Sequence, residues 1–216
     1  MMMKQLTYFG HSCFLLEADN GWKAVFDPYQ DGSVPGLKLP ALEADTVYTS
    51  HEHADHNAAQ LIKITHHAEN PYIERTLSTA HDEKGGALRG RNTVQILECG
   101  EEKIIHLGDL GCLLNKEQLK SIHGADILMI PCGGFYTIDA EQAKQIIEAA
   151  EPKTAVLMHY RTGTQGYDEI ASKQDIQSVI PEAEDTGRSV WTSGQQGGIL
   201  FMDACAKART DGEKKI

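Results

Sequence analysis

The residues with the most chemistry to offer form a run of six, His51-Glu52-His53-Ala54-Asp55-His56. In an extended segment side chains i and i+2 point the same way, so His51 and His53 can grip one cation. Asp55 and His56, just past a bend, can face a second cation or a water. Neutral imidazole is the commonest metal ligand. An H-x-H-x-D-H pattern arises by chance in a chain of this composition on the order of one time in a thousand. The cluster is therefore read as a metal site and not as a solvated histidine-rich loop. Histidine is also the compositional outlier, with ten residues against seven tyrosines, five phenylalanines and two tryptophans.

Positioning these groups falls to short strands. Apolar-rich runs at 6–9, 13–17 and 23–26 are broken by Gly10 and by Asn20-Gly21, the latter a strong hairpin signal. A loop rich in glycine and proline follows to Pro40, and a strand at 45–50 leads straight into the histidine cluster. One or two helical turns are expected at 58–64, then strands at 76–80, 93–98 and 103–107. From residue 115 helices alternate with strands. Asn115 caps KEQLKSI, and 126–130 reads as a buried strand. Asp139 caps AEQAKQIIEAA, in which Ala143, Ile146, Ile147 and Ala150 share one face. Pro152 stops that helix, a strand follows at 154–158, and Ser172-x-x-Asp175 opens a last helix to about Ile180. A terminal hairpin is expected from 189–192 and 199–202. The organisation is one domain over 1–205, with a polar tail at 206–216 that is frayed or disordered.

At this level the chain resembles the metallo-β-lactamase superfamily, whose hallmark is H-x-H-x-D-H. The pieces YFGHSCFLLE, HLGD, PCGG followed by an aromatic and a threonine, and MHYRT are most similar to its compact metal-dependent hydrolase branch, which includes ascorbate-6-phosphate lactonase-like enzymes. The resemblance implies an α/β fold, a four-layer αββα sandwich of two mixed sheets with outer helices and the metals at one edge. It implies a first ion held by His51, His53 and His81, a second held by Asp55, His56 and His159, and Asp109 bridging both. Two divalent ions, zinc foremost with Mn2+ or Fe2+ as the other candidates, would lower the pKa of a shared water toward neutrality. The bridged hydroxide would attack a small ester, lactone or phosphoester, with Asp55 orienting it and relaying a proton. The alternative on the same scaffold is an iron-dependent redox enzyme of dioxygenase type; a nuclease ranks below both.

The remaining candidates are weaker. His106 reads as packed, His123 as a helix-end residue, and His66-His67 as solvated. His11 stands in a Gly-His-Ser turn and has two readings: it fixes the turn, or it pairs with Asp27 beneath the metals. Gly134 allows close backbone approach, and Tyr160 and Arg161 follow His159 directly, so these three are the substrate-contact candidates. Lys84, Arg89 and Arg91 read as a solvated basic loop ahead of an anion-binding one, Phe135-Tyr136 as a tight turn with core aromatics or a pocket wall, and the 28–40 loop as a candidate pocket cover. Cys112 is weighed only as a neighbour of Asp109.

Composition bounds the rest. The 41% hydrophobic and 24% charged content is that of an average globular domain. No apolar run approaches the roughly 18 residues needed to span a bilayer, and no signal peptide is read at the N-terminus. Five cysteines with no C-x-x-C read as reduced thiols, so a cytoplasmic location is expected. A net charge of −11 argues against nucleic acid as partner. The expected partner is a small molecule, and an anionic one is compatible because bound cations invert the local sign.

Overall fold

A computed structural model of the chain describes residues 3–195 and 197–205; the expected tail at 206–216 lies outside the described residues. Alternating apolar residues in the first fifty positions build an antiparallel meander, β1 (Met3–Tyr8), β2 (Phe14–Ala18) and β3 (Lys23–Phe26). The β2–β3 connection turns at Asn20-Gly21, with Gly21 at φ +88° and its amide donating to Ala18 O. β4 (Leu42–Ala44) was not foreseen from sequence; it pairs in parallel with β6 (Ile62–Ile64) as a separate two-stranded sheet. The expected helical turns at 58–64 are therefore one 3-10 turn (Ala59–Leu61) running into a strand. β5 (Thr46–Tyr48) joins β3 in parallel.

The larger sheet gathers β7 (Ile73–Ala80), β8 (Arg91–Cys99), β9 (Glu102–His106), β10 (Ile127–Pro131), β11 (Thr154–Met158), β12 (Glu184–Asp185) and β14 (Gly198–Phe201). Its order is β12-β14-β11-β10-β9-β8-β7, parallel from β9 onward through β10, β11 and β14, and antiparallel across β7, β8 and β9. β13 (Val190–Thr192) completes the smaller sheet, in the order β13-β1-β2-β3-β5. The expected terminal hairpin is thus not formed: β13 pairs with β1, and β14 lies beside β11 in the other sheet. A glycine-rich spacer signals a change of direction but not which edges its flanking strands find.

Residue parity on the strands makes the layers. Ile127 and Met129 of β10, with Val156 and Met158 of β11, face Leu6, Phe14, Leu16 and Phe26 of the smaller sheet and form the core between the sheets. Leu128, Ile130, Ala155 and Leu157 point the other way, onto α1 (Lys116–Ile122), α2 (Ala140–Ala150) and α3 (Lys173–Val179). Each helix starts at a complete capping box, built by Asn115, Asp139 and Ser172, as their sequences require. The outer face of the smaller sheet packs Phe9, Val25, Tyr29, Val34, Leu39, Leu42 and Ile62. The 28–40 loop is therefore part of a packed layer. No helix among the described residues is long and apolar enough to cross a membrane.

This topology aims strand ends. β9, β10 and β11 run parallel, and β7, antiparallel to β8, shares their direction. In the smaller sheet β1, β3 and β5 likewise run one way. The residues after these strands include His11, Asp27, His51, His81, Asp109 and His159. Gly108, between β9 and Asp109, has φ +57°, and a Cβ there would lie 2.3 Å from Asn92 Oδ1 and 2.5 Å from Ser50 Cβ. Gly108→Ala is expected to lower stability by about 1–3 kcal/mol through overpacking and backbone strain, measurable by chemical denaturation.

Candidate metal centre

Asp27 organises one side of the site. Its carboxylate is buried and accepts the Ser50 amide at 2.7 Å, the Ser50 hydroxyl at 2.7 Å and His56 Nδ1 at 2.8 Å. A carboxylate only accepts, so His56 donates from Nδ1 and its Nε2 faces inward. The Ser50 hydroxyl spends its one proton on Asp27, so at 2.9 Å it accepts from His51 Nδ1, and His51 Nε2 faces inward as well. One acidic side chain thereby orients two imidazoles.

Asp109 occupies the middle. Its Oδ2 is 3.1 Å from His56 Nε2, 3.3 Å from His159 Nε2, 3.5 Å from His81 Nε2 and 4.0 Å from His51 Nε2. The Asp109 amide donates to Asn92 Oδ1, and Asn92 Nδ2 donates to Leu107 O and Thr79 Oγ1, so a fully buried, fully paired amide fixes the turn. His53 is exposed, its ring 4.5 Å from that of His51 and 5.3 Å from that of His81. Asp55 is partly exposed, and its Oδ2 lies 3.2 Å from His11 Nε2 and 3.1 Å from the Tyr167 hydroxyl.

These side chains fit divalent cations. Three donor groups each converge within 4.8 Å: His11, Asp55, His56 and His159; His51, His53 and His81; and His51, His56 and Asp109. His51 Nε2 and Asp109 Oδ1 are buried with no hydrogen-bond partner, an arrangement that costs free energy unless something else satisfies them. Three carboxylates, Asp27, Asp55 and Asp109, make the cluster electronegative. Burial favours a neutral His51, whose pKa falls to about 3, with His56 adding repulsion. Burial and the neighbouring His159 lower His11 to about 4. Burial opposes charge on His56 too, but Asp109 and Asp27 outweigh it and hold its pKa well above the ordinary value. Burial alone would raise Asp109, yet His159 and His56 keep it well below the usual carboxylate range.

Backbone strain concentrates here. Of the six non-glycine residues at left-handed φ among the described residues, three are His11 (+54°), Asp27 (+41°) and His159 (+57°). Such conformations cost roughly 1–3 kcal/mol each and persist where the surroundings over-determine them.

The structure brings His51, His53, Asp55, His56, His81, Asp109 and His159 together. The imagined His11–Asp27 pair is not formed: Asp27 bonds His56, while His11 Nε2 meets Asp55 and His56 Nε2. His106 is a packed residue, stacked on Phe26 and facing Ser12 O at 2.9 Å. Tyr160 is a core anchor and not a free substrate contact, because its hydroxyl donates to Met202 O and its ring packs on Phe201. Arg161 is partly buried within the field of Asp175, and Gly134 sits in a turn with its amide donating to Ile138 O. Cys112 packs against the helical-side core.

Sequence reasoning missed Ser50, Asn92 and Tyr167, and did not join the basic loop to Phe135-Tyr136. Asp82, beside His81, accepts the amides of Lys84, Gly86, Leu88 and Arg89. That loop sets the Arg89 guanidinium 5.4 Å from the Tyr136 ring and 6.0 Å from that of the exposed Phe135. Tyr136 in turn contacts Tyr167, and Tyr167 contacts His11. No spacing rule joins these residues, which come from separate loops.

Asp27→Ala leaves a buried imidazole and two Ser50 donors unpaired. It should cost about 3–5 kcal/mol in denaturation experiments and weaken divalent-ion binding roughly 10–100-fold in chelator competition. Because a proton and a cation compete for His56 Nε2, ion binding should release protons and weaken as pH falls. Calorimetry in two buffers of different ionisation enthalpy reads that release.

The sequence profile described as a beta-lactamase superfamily domain matches residues 5–159. A UPF0173 metal-dependent hydrolase from Thermoplasma acidophilum is 25% identical, over 83% of this chain and 96% of its own. One of the same name from Opitutus terrae is 29% identical, over 86% of this chain and 95% of its own. A Thermotoga maritima structure, described as a Zn-dependent hydrolase of the metallo-beta-lactamase superfamily, superposes with TM-score 0.70 at 26% identity, covering 92% of this chain and 97% of its own. A metallo hydrolase from Ignicoccus hospitalis shares the fold at TM-score 0.59 and 22% identity, covering 82% of this chain and 92% of its own. With two mixed sheets delivering clustered histidines and carboxylates to one edge, the chain belongs to the metallo-β-lactamase superfamily, and the relatives it matches are described as metal-dependent hydrolases.

Proposed function

We propose that the enzyme works with two divalent ions, zinc foremost, on a small ester, lactone or phosphoester that carries an anionic group. The observation that carries this reading is the pair of donor groups, His51, His53 and His81 on one side and Asp55, His56 and His159 on the other, with Asp109 Oδ2 facing both. When bound, such ions activate a water at neutral pH and polarise the carbonyl or phosphoryl oxygen under attack. The chain's own residues do the rest. His56, His81, Asp109 and His159 are buried and keep bulk water from the reacting atoms. Asp55, partly exposed, is placed to hold the attacking water and to relay its proton to the leaving oxygen. The Tyr167 hydroxyl, shared between Ser33 O at 2.7 Å and Asp55 Oδ2 at 3.1 Å, steadies that carboxylate. Arg89 on the rim supports recognition of an anionic substituent through its planar fork.

Elemental analysis and the visible spectrum of freshly purified protein test the metal side. Two equivalents of zinc or manganese without colour are expected; one equivalent of iron with a charge-transfer band would overturn the reading. Lactones, phosphodiesters and thioesters, each in anionic and neutral versions, then separate the substrate classes. In the metal-loaded protein, Asp55→Ala should lower kcat by about 10²–10⁴-fold; unchanged turnover would remove the proton role from Asp55.

A further inference from the structure

We infer that His11 is a further protein donor to the ion position of Asp55, His56 and His159, an assignment that rests on the two-ion reading above. Its Nε2 lies 3.1 Å from His56 Nε2 and 3.2 Å from Asp55 Oδ2. Two donors each about 2.0–2.1 Å from a tetrahedral zinc ion stand roughly 3.4 Å apart, so three donor atoms here already have the spacing of a shared ion. The ring is held in place by His159, 4.1 Å away between centroids, and by the edge of Tyr167 at 5.8 Å.

The turn that carries His11 does not need the imidazole. Phe9 and Cys13 close it through their backbone, and the His11 carbonyl accepts from the Tyr8 hydroxyl at 2.9 Å and the His159 amide at 2.8 Å. His11 Nδ1 bonds to nothing, so the side chain does no capping work. A backbone at φ +54° suits glycine, yet it holds a histidine that is 3% exposed. The strain and the burial are both accounted for if Nε2 serves a cation.

The competing role is a plain hydrogen bond from Nε2 to Asp55, and one comparison separates the two. The full-length protein, freed of metal by chelation, is titrated with Co2+ while affinity and the visible spectrum are followed for each equivalent. His11→Ala is expected to leave the tighter-to-assign first group, His51, His53 and His81, with wild-type affinity, which also reports that the variant is folded. The other equivalent should weaken at least about tenfold with a changed spectrum. His11→Gln keeps an N–H donor for Asp55 but no imidazole lone pair, so it should behave like His11→Ala. Restoration of wild-type affinity and spectrum by His11→Gln, or two unaltered equivalents in His11→Ala, would overturn the assignment. If the wild type itself takes one equivalent, the two-ion reading fails. The His11 assignment then stands only if that single equivalent is weakened by both substitutions.

Discussion

The centre depends on a buried carboxylate that itself holds no place among the converging donor groups. Asp27 sits where an uncompensated charge would be costly, and it is compensated by the Ser50 amide, the Ser50 hydroxyl and His56 Nδ1. Because that carboxylate can only accept, the direction of every proton around it is decided, and with it the face that His51 and His56 turn to the interior. The bonds that make the charge tolerable therefore also select the tautomers the site needs. Stability and chemistry are coupled through the same side chain, whose bonds hold its backbone at a left-handed φ of +41°.

Architecture supplies the second half of the constraint. Two sheets, each with several strands running one way, release their chain ends at a common edge, and the His159 amide reaches across to the His11 carbonyl. Groups separated by about a hundred or more residues in sequence then meet without any long rigid loop. Rotational freedom is removed by ring-on-ring contacts, such as His51 with His56 at 4.4 Å and His51 with His81 at 4.6 Å. Such contacts hold the donor side chains in fixed orientations.

Much of this was legible in the chain. The i, i+2 spacing of His51 and His53 is a local signal, and the capped helices and the Asn20-Gly21 hairpin are local too. What sequence could not show is pairing across distance. A pair between Asp27 and His11 is one of the two readings the His11 turn allows, whereas the fold gives Asp27 to His56. Tyr160 adjoins His159 in sequence, yet its ring packs on Phe201 and its hydroxyl serves Met202. Asn92 and Tyr167 carry no spacing signal at all, since each acts through a partner on a different loop. The same limit misplaced the last two strands, whose residues favour extended structure but do not name the sheet.

The Asp82 knot has an evolutionary consequence. Because one carboxylate collects four backbone amides, the path of the 82–91 loop is written in its main chain and owes little to the side chains of Lys84, Leu88 and Arg89. Those positions are free to vary while the loop keeps its shape and His81 keeps its place. The rim can therefore drift toward new ligands on a fixed reaction centre, making it the natural place to diversify a library when a changed substrate range is sought.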